Sequence, residues 1–338
     1  MDPITALHRI GYLLERERAP LYRSRAFRRA AECVRALGET EVRDRIERGT
    51  LLDTPNIGPA TAQVIIEALG GSTPAYLLKL ESAAAGQPDS PAAQLRRLLH
   101  GDCHAHTDWS DGKSSIEVMV EAARAMGHSY LAITDHSPRL TIARGLSPER
   151  LLRQLDDIEV LKRSVAPFRI LTGIEVDILE DGSLDQDPAL LGRLDIVVAS
   201  VHSKLRMDGD LMTSRMLRAI ENPHMDILGH PTGRIVVGRG RPESTFDAPR
   251  VFGACADASK AVEINSRPER LDPPRRLMRL ARELGCLFSI NTDAHAPGQL
   301  EWLENGCERV VACAIEPAQI VNSWETDELL AWTGRHAG

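Results

Sequence analysis

No stretch of this 338-residue sequence is apolar for long enough to span a bilayer, which takes about 20 residues. The first eleven residues, Met1 to Gly11, lack a basic region followed by an apolar run, so a secretory leader is not expected. None of the six cysteines, at 33, 103, 255, 286, 307 and 313, forms a C-x-x-C pair. Without such pairs or any sign of export they read as reduced, buried thiols of a cytoplasmic protein. Cys103 lies beside a histidine pair, but a small residue on a strand is its ordinary role. No internal repeat is present. What remains, 43% hydrophobic and 26% charged residues, is the balance of a globular protein, and the length predicts two domains.

The net charge of −7 divides unevenly: residues 1–80 hold 12 basic against 10 acidic side chains, and the rest hold 29 against 38. The second part is therefore not expected to bind duplex nucleic acid unspecifically, unless bound divalent metals change its charge locally. Residues 1–80 read as all-helical. Ile4, Leu7, Ile10, Leu13 and Leu14 recur at helical spacing. An Arg-rich helix follows, ending near Gly38, and the turn Thr54–Ala62 feeds a helix over 60–69. Residues 81–98 read as a linker: an Ala/Gly/Pro/Ser-rich stretch and then a short amphipathic stub. From 99 to 338, apolar strands alternate with helices, the pattern of a parallel α/β architecture. Strands are predicted around 101–105, 130–134, 169–176, 195–201, 225–229, 261–265 and 286–292. Helices are predicted over 115–126, 147–164, 213–221 and 273–284. Seven such units point to a barrel near the (β/α)₈ type.

The chemistry collects at the strand ends. His104 and His106 follow the first strand, Asp135 and His136 the second, and Glu175 and Asp177 close the third. His202 follows the fourth, His230 the fifth, Glu263 and Asn265 close the sixth, and Asp293 and His295 the seventh. In a parallel barrel these positions converge on one mouth. The pairs 104/106, 175/177, 263/265 and 293/295 are spaced i, i+2, which places both members on one face of a strand. A lone histidine after a strand is usually a hydrogen-bonded loop residue. So many imidazoles and carboxylates buried together would be costly without a partner, and a multinuclear metal site satisfies all of them. Mixed nitrogen and oxygen ligation suits Zn, Mn or Fe better than Ca or Mg.

The stretches His104-Ala105-His106, Ser110-Asp111-Gly112, Thr134-Asp135-His136-Ser137, Gly173–Asp177, Ser200–Ser203, Gly229-His230-Pro231, Glu263-Ile264-Asn265 and Thr292–His295 resemble the PHP (polymerase and histidinol phosphatase) family. They are most similar to the PHP part of bacterial family X DNA polymerases. The resemblance implies a distorted (β/α)₇ barrel of TIM-like kind with three divalent metals in its mouth. It implies that His104, His106, Glu175 and Asp293 hold the first metal, that Glu175 bridges to a second held by His202 and His230, and that Asp111, His136 and His295 hold a third. Among these, His104, His106, Glu175, His202, His230 and Asp293 would carry catalysis by making a metal-bridging water a hydroxide at neutral pH. Arg144, Lys204, Arg234 and Arg270, in loops after strands 2, 4, 5 and 6, are candidate phosphate contacts or ordinary solvated charges. Asp177 and Asn265 are expected to orient ligands, and Asp135 either to do the same or to cap its loop.

Residues 3–80 resemble the helix-hairpin-helix domain of the same polymerases through Tyr22–Ala31 and Pro55–Ala62. That resemblance makes Arg25, Arg28, Arg29, Ile57 and Gly58 candidate DNA contacts; the alternative is a structural helical domain with a solvated basic face balanced by Glu15, Glu17 and Glu32. Asn56 stands where a glycine is usual, and Pro59 has no N–H to donate. Only about 20 residues separate the two parts, too few for a polymerase palm. No lysine occurs within residues 1–78, so a Schiff-base lyase of the lysine type lacks its nucleophile there. Three functions remain open: a phosphoesterase that processes DNA ends (3′-5′ exonuclease, 3′-phosphatase or abasic-site nuclease), a small-molecule phosphatase of histidinol-phosphatase or nucleotide type, and a non-catalytic DNA-binding module with structural metals.

Overall fold

The computed structural model describes residues 1–84 and 89–336, and the chain divides into two compact units, Met1–Gln87 and Pro88–Gly338. Among the described residues no helix is long and apolar enough to cross a membrane. The first unit holds the helices Pro3–Arg16, Leu21–Leu37, Glu39–Glu47, Pro59–Leu69 and Ala75–Ala84. Asp2 starts the first of them, its carboxylate accepting from Thr5 N–H at 2.7 Å. The stripe of Leu7, Ile10, Leu13 and Leu14 is buried in one cluster with Phe27, Ala31 and Val34 of the second helix. The stretch read as a linker, 81–98, contains the end of helix Ala75–Ala84 and the whole of helix Pro91–Leu98. Residues 85–88 lie outside the described residues.

The second unit is a nearly closed, all-parallel sheet of seven strands in sequential order: β1 Gly101–Ala105, β2 Tyr130–Ile133, β3 Arg169–Asp177, β4 Ile196–Ser200, β5 Ile227–Leu228, β6 Ala261–Asn265 and β7 Leu287–Asn291. Both faces of these strands are buried, as a parallel sheet wrapped by helices requires. Cys103, Tyr130, Ala132, Ile196 and Val198 form one cluster with Leu329 and Trp332 of the last helix, Thr326–Gly334. The intervening Leu131, Ile133 and Ile170 pack with Met119 and Ile158 of the surrounding helices. Tyr130, Ile196, Ile227 and Ala261 each begin their strands, so this apolar plug fills the end of the barrel opposite the strand C-termini.

β1 and β7 share no continuous ladder. His106 N–H donates to Ala294 O at 2.8 Å, and Asn322, fully buried, closes the rest of the seam. Its amide donates to Gly101 O (3.1 Å) and Ile290 O (2.6 Å) and accepts from Ile290 N–H (3.1 Å). All seven predicted strands occur near their predicted places. β5 is shorter than expected because the chain turns at Gly229, where an added Cβ would lie 2.2 Å from Ser200 Oγ. The helix expected over 213–221 begins earlier, at Gly209, where Asp208 caps Asp210 N–H at 2.9 Å. The helices Ala248–Asp257, Leu303–Cys313 and Thr326–Gly334 were not anticipated.

His128, buried after helix Ile116–Ala125, sits 2.6 Å from an Arg96 guanidinium nitrogen. Burial, and then Arg96, push its pKa down from 6.5 to about 3. The folded chain thus keeps His128 neutral where the unfolded chain would protonate it, so this group's contribution to stability is lost as pH falls from 6.5 towards 3. The loss is at most about 1.4 kcal/mol per pH unit. Thermal melts of the parent and of His128→Gln between pH 7 and pH 5 are expected to converge as pH falls; a constant difference would contradict the assignment.

Candidate metal centre and active site

The strand C-termini deliver their side chains to one point, and Glu175, at 1% exposure, occupies it. Its Oε1 lies 2.8 Å from His230 Nε2 and 3.2 Å from His202 Nε2. Its Oε2 lies 2.8 Å from His136 Nδ1, 3.4 Å from His104 Nε2 and 3.5 Å from His106 Nε2. Five imidazoles therefore face one carboxylate. Burial alone would raise the Glu175 pKa, but His202, His104 and His136 together hold it well below the usual carboxylate range. Asp293 opens a second cluster: it is 3.4 Å from His106 Nε2, and Arg267 and Arg270, at 3.3 and 3.1 Å, help hold it ionised against its burial. The backbone of Asp293 lies in the left-handed region, φ +54°, a conformation that aspartate tolerates better than most residues. Asp111 meets His295 Nε2 at 3.2 Å and His136 Nε2 at 3.6 Å.

Three groups have ligand atoms close enough to share a metal ion: His104, His106 and Glu175; His136, Glu175 and His202; and His106, Asp111, His136 and His295. All nine predicted ligands lie in or against these groups. The grouping differs from expectation in three respects: His106 and His136 each serve two groups, His230 reaches the cluster through Glu175, and Asp293, expected on the first ion, falls in none of the groups and meets His106 Nε2 at 3.4 Å. The donor set fits metal binding on a structural criterion. His104 Nε2, both ring nitrogens of His106, Asp111 Oδ1 and His202 Nε2 are buried without a hydrogen-bond partner among the described residues. Leaving one such atom unmade costs about 1–3 kcal/mol, and several surround a single point. Burial, with His295 and His136 nearby, also pushes the His106 pKa well down, which keeps the ring neutral as ligation needs.

The outer carboxylates orient the rings. His202 Nδ1 meets Asp177 Oδ1 at 2.8 Å, and His104 Nδ1 meets Glu263 Oε1 at 2.6 Å, so each ring turns Nε2 inward. Glu263 also accepts from His230 N–H (2.6 Å) and Asn291 Nδ2 (3.0 Å). Asn265 Nδ2 spans Glu263 and Asp293 at 3.2 and 3.3 Å. Asp135 takes the second of its two expected roles: Thr107 N–H, Thr107 Oγ1, Ser110 Oγ and Gln154 Nε2 all donate to it, so it shapes the loop that carries Asp111.

Of the four cations expected near phosphate, the structure brings only Arg270 to the cluster, with its Nη1 buried and without a hydrogen-bond partner among the described residues. Arg144 instead donates to Ser110 O (2.8 Å) and Asp108 O (2.6 Å), and Arg234 to Arg270 O (3.1 Å) and Leu271 O, because loop carbonyls lie nearer than the mouth. Lys204 is exposed. Glu263 was named at the end of the sixth strand but given no role, and Arg267, two positions beyond Asn265, was missed as a site residue.

In the helical unit, Asn56 adopts a left-handed conformation, φ +66°. The N–H groups of the two candidate contacts in the turn are engaged, Ile57 N–H with Thr54 O (3.1 Å) and Gly58 N–H with Thr61 Oγ1 (2.9 Å), and the Ile57 side chain is buried. Arg28 forms a two-pronged pair with Glu15 at 2.9 and 2.7 Å, while Arg25 and Arg29 are exposed. An open, mostly apolar cleft of about 640 Å³ lies beside this turn, lined by Tyr22, Phe27, Gly58, Val64 and Tyr76 among others.

Residues 102–267 match the PHP domain. A probable phosphatase of Caldanaerobacter subterraneus is 31% identical over 216 residues, 60% of this chain and 78% of that protein. The chain belongs to the PHP family. A DNA polymerase/3′-5′ exonuclease PolX of Bacillus subtilis is 37% identical over 238 residues, 70% of this chain; the chain spans 41% of that PHP relative's length. The histidinol phosphate phosphatase of Lactococcus lactis, solved with zinc, L-histidinol and phosphate, is 18% identical over 63% of this chain and 92% of that one, with a TM-score of 0.45. Membership makes this chain a phosphoester hydrolase of the PHP type, with His/Glu/Asp clusters able to hold metal.

Saturating Zn²⁺ or Mn²⁺ is expected to raise the melting temperature by the equivalent of about 3–4 kcal/mol at 100–1,000 times Kd. Asp177→Ala, which frees His202 Nδ1, is expected to weaken metal affinity roughly 10–100-fold by calorimetric titration. Melting that ignores both metals would contradict the donor-set reading.

Proposed function

We propose that this chain is a metal-dependent phosphoesterase that processes DNA ends, holding up to three divalent ions of Zn, Mn or Fe. The observation that carries the metal reading is the convergence of five imidazoles on buried Glu175, with the inward nitrogens of His104, His106 and His202 making no hydrogen bond among the described residues. His104, His106, Glu175 and Asp293 would hold one ion, Glu175 with His202 and His230 a second, and Asp111, His136 and His295 a third. When bound, such ions supply Lewis acidity to phosphate oxygens and acidify water at neutral pH. The chain's own residues do the rest. Glu263 and Asp177 keep the imidazoles turned inward. Asn265, Arg267 and Arg270 hold the Asp293 carboxylate and keep it ionised. Arg270, half-buried beside Asp293 with its Nη1 unpartnered among the described residues, adds fixed positive charge where negative charge would gather on the oxygens of a phosphoryl group.

The DNA reading is supported by the 37% identity to a protein named as a polymerase and exonuclease, and by the helical unit that accompanies the barrel. A small-molecule phosphatase is the competing reading. It is favoured by the helical turn, where the N–H groups of the candidate contacts Ile57 and Gly58 are engaged within the turn. The two separate on a 5′-labelled single-stranded oligonucleotide incubated with Mn²⁺. A ladder of shortened products, at least about 100-fold slower in Asp293→Ala, is expected. Intact oligonucleotide, with phosphate released from small monoesters by the same preparation, would leave the small-molecule phosphatase.

A further inference from the structure

The segment after His230 is built more elaborately than a loop that merely connects β5 to the next helix. Residues 235–241 form a small antiparallel hairpin, with Ile235 N–H to Arg241 O at 2.9 Å and Arg241 N–H to Ile235 O at 2.8 Å. Its tip is Gly238-Arg239-Gly240, and both glycines have φ +63°, a conformation closed to most other residues. The base is fixed from below. Asp272, fully buried, accepts from Thr232 N–H (3.1 Å), Thr232 Oγ1 (2.7 Å) and Arg234 N–H (3.1 Å). Val236 N–H donates to Glu269 O at 2.7 Å, and Arg241 Nε to Gly233 O at 2.6 Å. The loop after β4 braces one side through Ser244 Oγ, which donates to Leu205 O at 2.9 Å.

This rigid base carries an exposed tip. Val236 and Val237 are 49% and 36% exposed, and Arg239 and, on the bracing loop, Arg206 are exposed. Neither arginine has an ion pair or hydrogen bond among the described residues. The nearby Glu243 is engaged by Arg234 and Arg276. Val236 is six steps along the chain from His230 and Arg239 nine, so the hairpin lies within about 20–30 Å of that residue, a few nucleotides.

We infer that the Ile235–Arg241 hairpin is a strand-holding finger: it grips a single-stranded polynucleotide a few nucleotides from the phosphate that enters the cluster, with Arg206 and Arg239 on its phosphates and Val236 and Val237 against a base. The inference rests on the DNA reading of the same site. A small phosphate ester would fill the cluster without reaching the tip. A flexible, regularly charged strand would reach it, and each phosphate neutralised there would release counterions.

The test compares the full chain with the double variant Arg206→Ala/Arg239→Ala and with Val236→Ser/Val237→Ser. Two substrates are used with Mn²⁺: a 15-nucleotide single strand and bis(p-nitrophenyl) phosphate. The arginine variant is expected to raise KM for the oligonucleotide about tenfold and to flatten the plot of log KM against log salt by about 1.4, two contacts at about 0.7 each. The valine variant is expected to raise the same KM severalfold with an unchanged salt slope. Turnover of the small diester is expected to stay within twofold in both. Unchanged oligonucleotide KM and salt slope, or equal losses on both substrates, would overturn the finger while leaving the DNA reading intact. A parent chain that hydrolyses only the small diester would overturn the DNA reading, and the finger with it.

Discussion

The structure of the second unit turns on one buried carboxylate. Glu175 sits at the C-terminal end of β3 with five imidazoles within 3.5 Å, delivered from β1, from the loops after β2, β4 and β5, and across the whole width of the barrel. No single proton distribution satisfies this arrangement, because a carboxylate has too few lone pairs for five rings and five charged rings would repel. The ligand geometry therefore constrains the fold as strongly as the fold constrains the ligands. A one-residue slip of β3 would turn Glu175 and Asp177 away from the mouth together.

Around this point the chain supports the ligands with buried acids that are not ligands themselves. Asp177 and Glu263 fix two rings, and Asp135 fixes the loop that brings Asp111. Asp102 accepts from His104 N–H at 3.0 Å and from Thr292 N–H at 3.2 Å, on either side of the seam between β1 and β7 where the ladder is interrupted. Burial raises its pKa to about 6, despite the donors that favour its charge. The closure of the barrel and the placement of His104 and Asp293 thus share the same hydrogen bonds, which links stability to the site.

Much of this was legible in the sequence, for a physical reason. Strand ends in a parallel barrel converge, and i, i+2 spacing keeps two side chains on one face, so the positions of His104, His106, Glu175, Asp177 and Asp293 followed from local pattern alone. Partners across the barrel did not. That Glu263 holds His104, 159 residues away, depends on the order in which strands meet. Arg144 and Arg234 look like free loop cations in sequence, and only the folded loops show that backbone carbonyls engage them first. Asn322 is likewise an ordinary polar residue until the β1–β7 seam exists for it to close. The helix Ala248–Asp257 was legible too, since Ala248, Val251, Phe252 and Cys255 recur at i, i+3, i+4 and i+7 and form its buried face, but it was overlooked.

The central claim is that the site is a multinuclear metal centre organised by Glu175. Anomalous scattering from crystals grown with Mn²⁺ or Zn²⁺ tests it most directly. The account predicts separate metal peaks among His104, His106 and Glu175 and among His136, Glu175 and His202, with Glu175 touching both, and a further peak beside Asp111 and His295. Metal-loaded crystals with no peak in contact with Glu175, or with metal only at the surface, would contradict it.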